Sequence, residues 1–94
     1  MKKMAEVSLT MSVFKEGNAY VAFSPALDIS TAGKSATDAK KNFDELVRIF
    51  FEETEKHGTT ENALLSLGWE KLKSKEWQPP VEVEHTTTRV AVPA

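Results

Sequence analysis

One long amphipathic segment, from Ser35 to Gly58, constrains the fold of this 94-residue chain more than any other feature. At 100° per residue, its apolar side chains fall on one broad face and most of its charged side chains fall opposite. Ser35 stands where an N-cap belongs and Asp38 follows three residues later, as in a capping box. The pattern predicts a helix from about residue 36 to residue 57, with Gly58 as the C′ residue. The predicted buried face comprises Ala36, Ala39, Phe43, Leu46, Val47, Phe50 and Phe51.

Strand-like runs precede the predicted helix. Residues 7 to 14 alternate between apolar and polar side chains, which is typical of a strand with one covered face. A turn at residues 16 to 18 leads to a second run of β-forming side chains at 19 to 23, so the two runs predict a hairpin. Pro25 cannot donate to a ladder and is expected to end the second strand. Residues 27 to 31 predict a third strand, although so short a run fits an extended loop equally well.

The sequence therefore predicts an α+β fold. A three-stranded antiparallel sheet gives the long helix a surface to cover, and the result is a two-layer sandwich. After that helix, residues 61 to 67 predict a short second helix, which Thr60 caps and Gly68 ends. Residues 69 to 73 then alternate in the manner of a further strand.

A tail rich in β-branched residues follows Pro79-Pro80, a pair that ends regular structure. We expect one domain at 1–78 and this tail at 79–94. Its valines change parity, since two stand at odd positions (81 and 83) and two at even positions (90 and 92). A single flat strand would expose one of these pairs, so a bulge, bend or turn is predicted near residues 86 to 88. We expect the tail to pair with the edge of its own sheet or with a second chain, in a homodimer or homotetramer.

Composition narrows the classes of function. The formal net charge of −2 gives no electrostatic reason to bind nucleic acid or an anionic membrane. The chain has no cysteine, which excludes disulfides and thiolate chemistry and suits a reducing compartment. The N-terminal sequence MKKMAEVSLTMS has no unbroken apolar stretch after its lysines, so neither a signal peptide nor a membrane span is expected. The prediction is a soluble cytoplasmic protein.

No pattern of residues predicts catalysis, a cofactor or a metal site. Asp38 has a local role at the helix start and Asp44 lies towards solvent, which leaves Asp28 as a lone carboxylate, too few for two-metal chemistry. His57 fits a helix C-terminus, and His85 has no partner at metal-ligand spacing. No glycine-rich phosphate loop is present in the sequence. The protein is therefore not expected to be an enzyme.

The corner between the second and third predicted strands is the candidate binding surface. Ser24 lacks the flanking glycines of a nucleophile elbow, so no role as a nucleophile is predicted for it. Pro25 fixes the shape of the corner, and Asp28 is available to a basic side chain of a partner. We expect Ser24, Pro25, Leu27 and Asp28 to contact that partner. Ile49 is a fifth candidate, because it points away from the main apolar face of the predicted helix.

The order of these features resembles the HicB family of antitoxins. That family shows an aromatic-rich second strand, a Pro-x-Leu-Asp link, a short strand ending in glycine, a helix with an acidic and apolar pattern, and a Leu-Gly-Trp type ending. This chain shows them in "AYVAFSPALDISTAGKSATDAKKNFDELVRIFFEE" and "LLSLGW", and the resemblance covers residues 7 to about 73. The matching positions are Tyr20, Val21, Ala22, Pro25, Leu27, Asp28, Gly33, Ala39 and Leu46.

The resemblance implies a degraded ribonuclease-H-like fold, β-β-β-α-β, without the nuclease carboxylates. It also implies the protective half of a toxin–antitoxin pair, which performs no chemistry itself. The implied partner is a HicA-like toxin, a small basic mRNA-cleaving protein with a double-stranded-RNA-binding-like fold, whose active surface the antitoxin covers. Many HicB proteins also carry a C-terminal DNA-binding unit, but residues 79–94 cannot form a recognition helix. Direct DNA binding is therefore not expected.

A second function stays open, that of a stand-alone HicB-like structural or regulatory oligomer with no toxin partner. The β-branched tail motivates it, because a tail that cannot lie flat on its own domain is able to exchange between protomers. Neither function involves a small-molecule substrate.

Overall fold

The computed structural model describes residues 6–93, in which seven elements follow one another. They are β1 (Ser12–Glu16), β2 (Ala19–Ser24), β3 (Ile29–Gly33), α1 (Ala36–Lys56), α2 (Thr60–Ser66), β4 (Glu70–Lys71) and β5 (Trp77–Gln78). β1, β2 and β3 form an antiparallel sheet in that order and α1 packs across it, which confirms the predicted α+β sandwich. Residues 1–5, which begin the segment used to argue against a leader peptide, and residue 94 lie outside the described residues.

Helix α1 begins and ends as its sequence predicts. The backbone N–H of Asp38 donates to Oγ of Ser35 over 3.0 Å, so the N-cap satisfies one of the free donors of the first turn. At the other end His57 is the C-cap, and Gly58 has a φ of +68°, the left-handed conformation that glycine adopts without strain. A helix of 21 residues is about 31 Å long, which exceeds the length of the strands that it covers.

Small residues let α1 approach the sheet closely. Ala22 on β2 and Ala39 on α1 are fully buried, and Phe43 packs with them. Gly33 ends β3 directly beneath the first turn of α1, and a Cβ atom added there would lie 2.5 Å from the backbone nitrogen of Ala39. The helix can lie at this depth only because position 33 has no side chain.

A second apolar cluster joins the segment after α1 to the corner between β2 and β3. Its buried members are Ala26 and Leu27 from the corner, Leu64 from α2, and Trp69. The indole Nε1–H of Trp69 donates to the carbonyl oxygen of Ala26 over 2.7 Å, which satisfies a buried backbone acceptor. The corner is therefore fixed by apolar packing and by a hydrogen bond from a residue 43 positions later in the sequence.

The first strand is shorter and later than predicted. Strand β1 starts at Ser12, and residues 7 to 11 are not in a strand, because Ser12 already pairs with Phe23, next to the last residue of β2. The predicted set of inward-facing positions is partly right, because Leu9 and Met11 still pack against the core. Gly17 has a φ of +60° at the first central position of the two-residue hairpin, as a type II′ turn requires.

Other helix and strand boundaries also differ from the predicted ones. Strand β3 begins at Ile29, two residues later than predicted, because Asp28 has a φ of +53° and closes a turn through its N–H to the carbonyl of Pro25. Helix α2 has Thr59 as its N-cap instead of Thr60, without a side-chain hydrogen bond. The strand predicted at 69 to 73 shrinks to Glu70–Lys71, and it pairs with β5 in a separate two-stranded sheet.

The tail does not pair with the edge of its own sheet. Residues 79 to 93 contain no strand, so that alternative from the sequence is wrong. The two consecutive prolines at its start have no N–H to donate and restrict φ, which opposes a strand at that point.

The contact at Gly33 predicts a large cost for a small substitution. Gly33→Ala should lower the free energy of unfolding by about 2 kcal/mol, because its Cβ meets backbone atoms that cannot rotate away. Urea unfolding followed by circular dichroism measures this, with Lys34→Ala, at the exposed next position, as a control that should change stability little. An unchanged midpoint for Gly33→Ala would show that α1 does not lie this close to β3.

Candidate partner-binding surfaces

Two of the five predicted contact residues are inside the domain. Ser24 is fully buried, and its Oγ–H donates to the carbonyl oxygen of Thr10 over 2.8 Å. Leu27 is buried in the cluster around Trp69. These two side chains shape the corner but present no surface to a partner.

Asp28 and Ile49 lie together, although 20 residues separate them in the sequence. Both line a depression between the start of β3 and the C-terminal half of α1, which we call the β3–α1 groove. Its volume is about 480 Å³. The groove is lined by Asp28, Ile29, Ser30, Leu46, Ile49, Phe50, Glu53 and Thr54. The structure thus unites two candidates that sequence reasoning proposed for separate reasons.

The β3–α1 groove combines exposed apolar side chains with negative charge. Leu46 is 37% exposed and Ile49 is 47% exposed, on successive turns of α1. The charged side chains that line it, Asp28 and Glu53, are both acidic. The imidazole Nε2 of His57 lies 3.5 Å from a carboxylate oxygen of Glu53, outside the lining residues. The groove is therefore suited to a partner that offers apolar and basic side chains together.

The outer edge of β3 runs beside the same groove. Within the part of the chain that the structure describes, β3 pairs only with β2, so its other edge carries no strand. The side-chain amide of Asn42 donates to the carbonyl oxygen of Ala32 over 2.9 Å, which occupies one acceptor on that edge. Backbone groups of residues two apart face the same edge, so the backbone of Ser30 also points outwards there. Ser30 lines the groove and offers main-chain hydrogen bonds to a partner.

Pro25 lies on a different surface. It lines an outer groove together with Leu9, Phe23 and residues of the tail, including Pro79 and Pro80. The five predicted residues therefore do not form one site. Asp28 and Ile49 share the β3–α1 groove, Pro25 belongs to the outer groove, and Ser24 and Leu27 are buried.

Sequence reasoning missed three of the residues that complete the β3–α1 groove. Leu46 and Phe50 were assigned to the buried face of the helix, and Glu53 was assigned no role. These three and Ile49 occupy positions i, i+3, i+4 and i+7, which is a second stripe beside the main one. The width of the apolar face, read as two adjacent stripes, was the signal that could have identified Leu46 and Phe50.

No metal cluster, membrane span or relative assigns a function to the part of the chain that the structure describes. Within residues 6–93, no three His, Cys, Asp or Glu side chains are grouped so as to hold a metal ion. None of the helices described is both long enough and apolar enough to cross a membrane. Comparison with protein-family models, with curated proteins and with solved structures finds no match for this chain. The resemblance to HicB antitoxins therefore stays a prediction.

The position of Ser24 separates a structural role from a binding role. Ser24→Ala should lower the free energy of unfolding by about 1 kcal/mol, because it removes the hydrogen bond to Thr10 and leaves that carbonyl unpaired. Ser30→Ala, at an exposed position of the groove, should leave stability nearly unchanged. Denaturant unfolding compares the two variants. Equal stabilities for Ser24→Ala and the unaltered chain would show that the Ser24 hydroxyl does not stabilise the fold.

Proposed function

We propose that this chain is an antitoxin-type binding module that neutralises a small, basic, HicA-like mRNA-cleaving toxin by covering its active surface. In this proposal the protein acts in the cytoplasm and is not an enzyme. The observation that supports it is the β3–α1 groove, in which Asp28 and Ile49 from distant segments form one exposed apolar surface with acidic side chains.

Charge complementarity favours a basic partner. Asp28 and Glu53 line the groove without a basic side chain among its lining residues, and the whole chain carries a formal charge of −2. Opposite charges on two surfaces speed their encounter and disfavour acidic competitors. An mRNA-cleaving protein needs a basic surface to hold its substrate, so the same surface that binds RNA is attracted to this groove.

Apolar contacts give the complex its lifetime. Exposed Leu46 and Ile49 stand beside partly buried Phe50 and Ile29, so one apolar side chain of the toxin can pack among them. Apolar anchors of this kind, surrounded by polar contacts, dominate the energy of most protein interfaces. The outward backbone of Ser30 adds hydrogen bonds of the kind used in strand addition.

A second candidate function is a stand-alone structural or regulatory oligomer, a homodimer or homotetramer without a toxin. The observation that favours it is separate from the groove: the sheet face opposite α1 exposes Phe14, and the tail exposes its valines. Apolar surface left in water on both parts of one chain favours self-association.

Substitutions in the groove test toxin binding. Asp28→Asn removes the charge, and asparagine tolerates the left-handed backbone at this position, so the corner should keep its shape. Ile49→Gln removes the apolar side chain at an exposed helical site. Each change should weaken binding of the toxin about tenfold, as loss of an interface anchor does. Isothermal titration with a HicA-like toxin measures the effect.

Asp44→Asn is the matched control, because Asp44 is an exposed aspartate of α1 that does not line the groove. Its binding should equal that of the unaltered chain. Co-expression supplies the biological measurement: the unaltered chain should relieve growth arrest by the toxin, and the double variant Asp28→Asn, Ile49→Gln should relieve it less. Growth arrest that is the same with and without this chain would refute the antitoxin function.

A further inference from the structure

The sheet face opposite α1 and the tail both expose apolar side chains to solvent. We propose that two copies of this chain form a reciprocal dimer, in which the tail of each copy covers the outer sheet face of the other. This inference rests on the proposed homo-oligomer and is independent of the toxin. It assigns the surface, the segment that occupies it and the symmetry of the pair.

The outer sheet face is the side of the sheet away from α1. Pairing places Phe14, Val21 and Ala32 in one row across the three strands, with Phe23 in the next row. Since Ala22 faces α1, its neighbours Val21 and Phe23 point to the opposite side. Phe14 is 55% exposed, although the first residues of the tail line the outer groove beside it. An apolar row of this kind is what a sheet normally buries.

The tail carries matching apolar side chains in an extended chain. Val83 is 93% exposed and Val92 is 74% exposed, and no residue of the described tail belongs to a strand. Valine favours pleated, half-buried surroundings over an isolated extended chain in water. The segment therefore has the composition of a strand but lacks a surface to pack on.

The start of the tail already lies at the border of the outer sheet face. Pro80, Val81 and Glu82 line the same outer groove as Phe14 and Phe23. The two prolines restrict the backbone where the chain enters this groove. The tail lines this groove as far as His85, and beyond it Val90 and Val92 are each 74% exposed, so the end of the tail is left for the face of a second copy.

The length of the tail fits this role. From Thr86 to Pro93 an extended chain reaches about 26 Å, whereas three paired strands span about 10 Å between the outermost axes. One tail can therefore cross the face of a second copy. Every chain holds one tail and one face, so a two-fold axis satisfies both copies and the assembly closes as a dimer.

Variants of the 94-residue chain test the donor and the acceptor separately. Val90→Thr with Val92→Thr keeps the shape of the tail but makes it polar, and Phe14→Thr removes the exposed aromatic ring from the face. Sedimentation equilibrium should show a dimer for the unaltered chain and a dissociation constant raised about tenfold or more in each variant. Leu65→Thr, at an exposed leucine of α2, is the control and should leave the dimer unchanged.

Cross-linking distinguishes exchange from folding back. The chain has no cysteine, so a Phe14→Cys copy and a Val92→Cys copy can be mixed and treated with a short bismaleimide. Cross-linked heterodimers are expected. If the mixture gives none, while one chain that carries both substitutions cross-links internally at high dilution, the tail covers its own face and the exchange is refuted.

The results of these experiments distinguish tail exchange from the proposed homo-oligomer and from the proposed antitoxin function. A dimer that persists unchanged in the tail and Phe14 variants overturns tail exchange but leaves the oligomer standing. A monomer at all concentrations overturns both. Toxin binding in the β3–α1 groove is measured on different residues, so neither result decides it.

Discussion

The close contact between α1 and the sheet, through Ala22, Gly33 and Ala39, is the constraint on which the rest of the structure depends. Small residues at the start of α1 bring that end close to β3, whereas Phe50 and Phe51 near its other end demand a larger separation. The β3–α1 groove lies between the start of β3 and the half of α1 that carries these larger side chains, so the surface assigned to recognition adjoins the packing that holds the fold together.

The same contact leaves the two sides of the sheet unequal. One helix covers one face, and the short second helix contributes Leu64 to a cluster beneath the corner. On the other face Phe14 is 55% exposed, and the first residues of the tail border it in the outer groove. A domain of this size buries only about 60–65% of the surface of its unfolded chain. The exposed row and the exposed tail are therefore natural places for a second copy, separate from the groove offered to a toxin.

Local patterns predicted the elements well and their ends less well. The stripe and cap of α1 are local signals, and Ser35 and Gly58 act as predicted. The ends of strand β1 could not be predicted from alternation alone. A strand ends where its partner strand ends, and the end of β2 depends on the turn that Asp28 closes. The candidate site was harder to predict than the fold, because the burial of Ser24 and Leu27 depends on Thr10 and Trp69, which are distant in sequence. Asp28 and Ile49 were each named, but only the three-dimensional structure brings them into one groove.

We propose that the β3–α1 groove, with Asp28 and Ile49, recognises another protein. A backbone amide map of the ¹⁵N-labelled chain, recorded by NMR while unlabelled toxin is added, tests it most directly. The proposal requires the largest shift changes at residues 28–30 and 46–54, with small changes at residues 12–16. Changes concentrated on β1 and the outer sheet face, or no changes at saturating toxin, would contradict it.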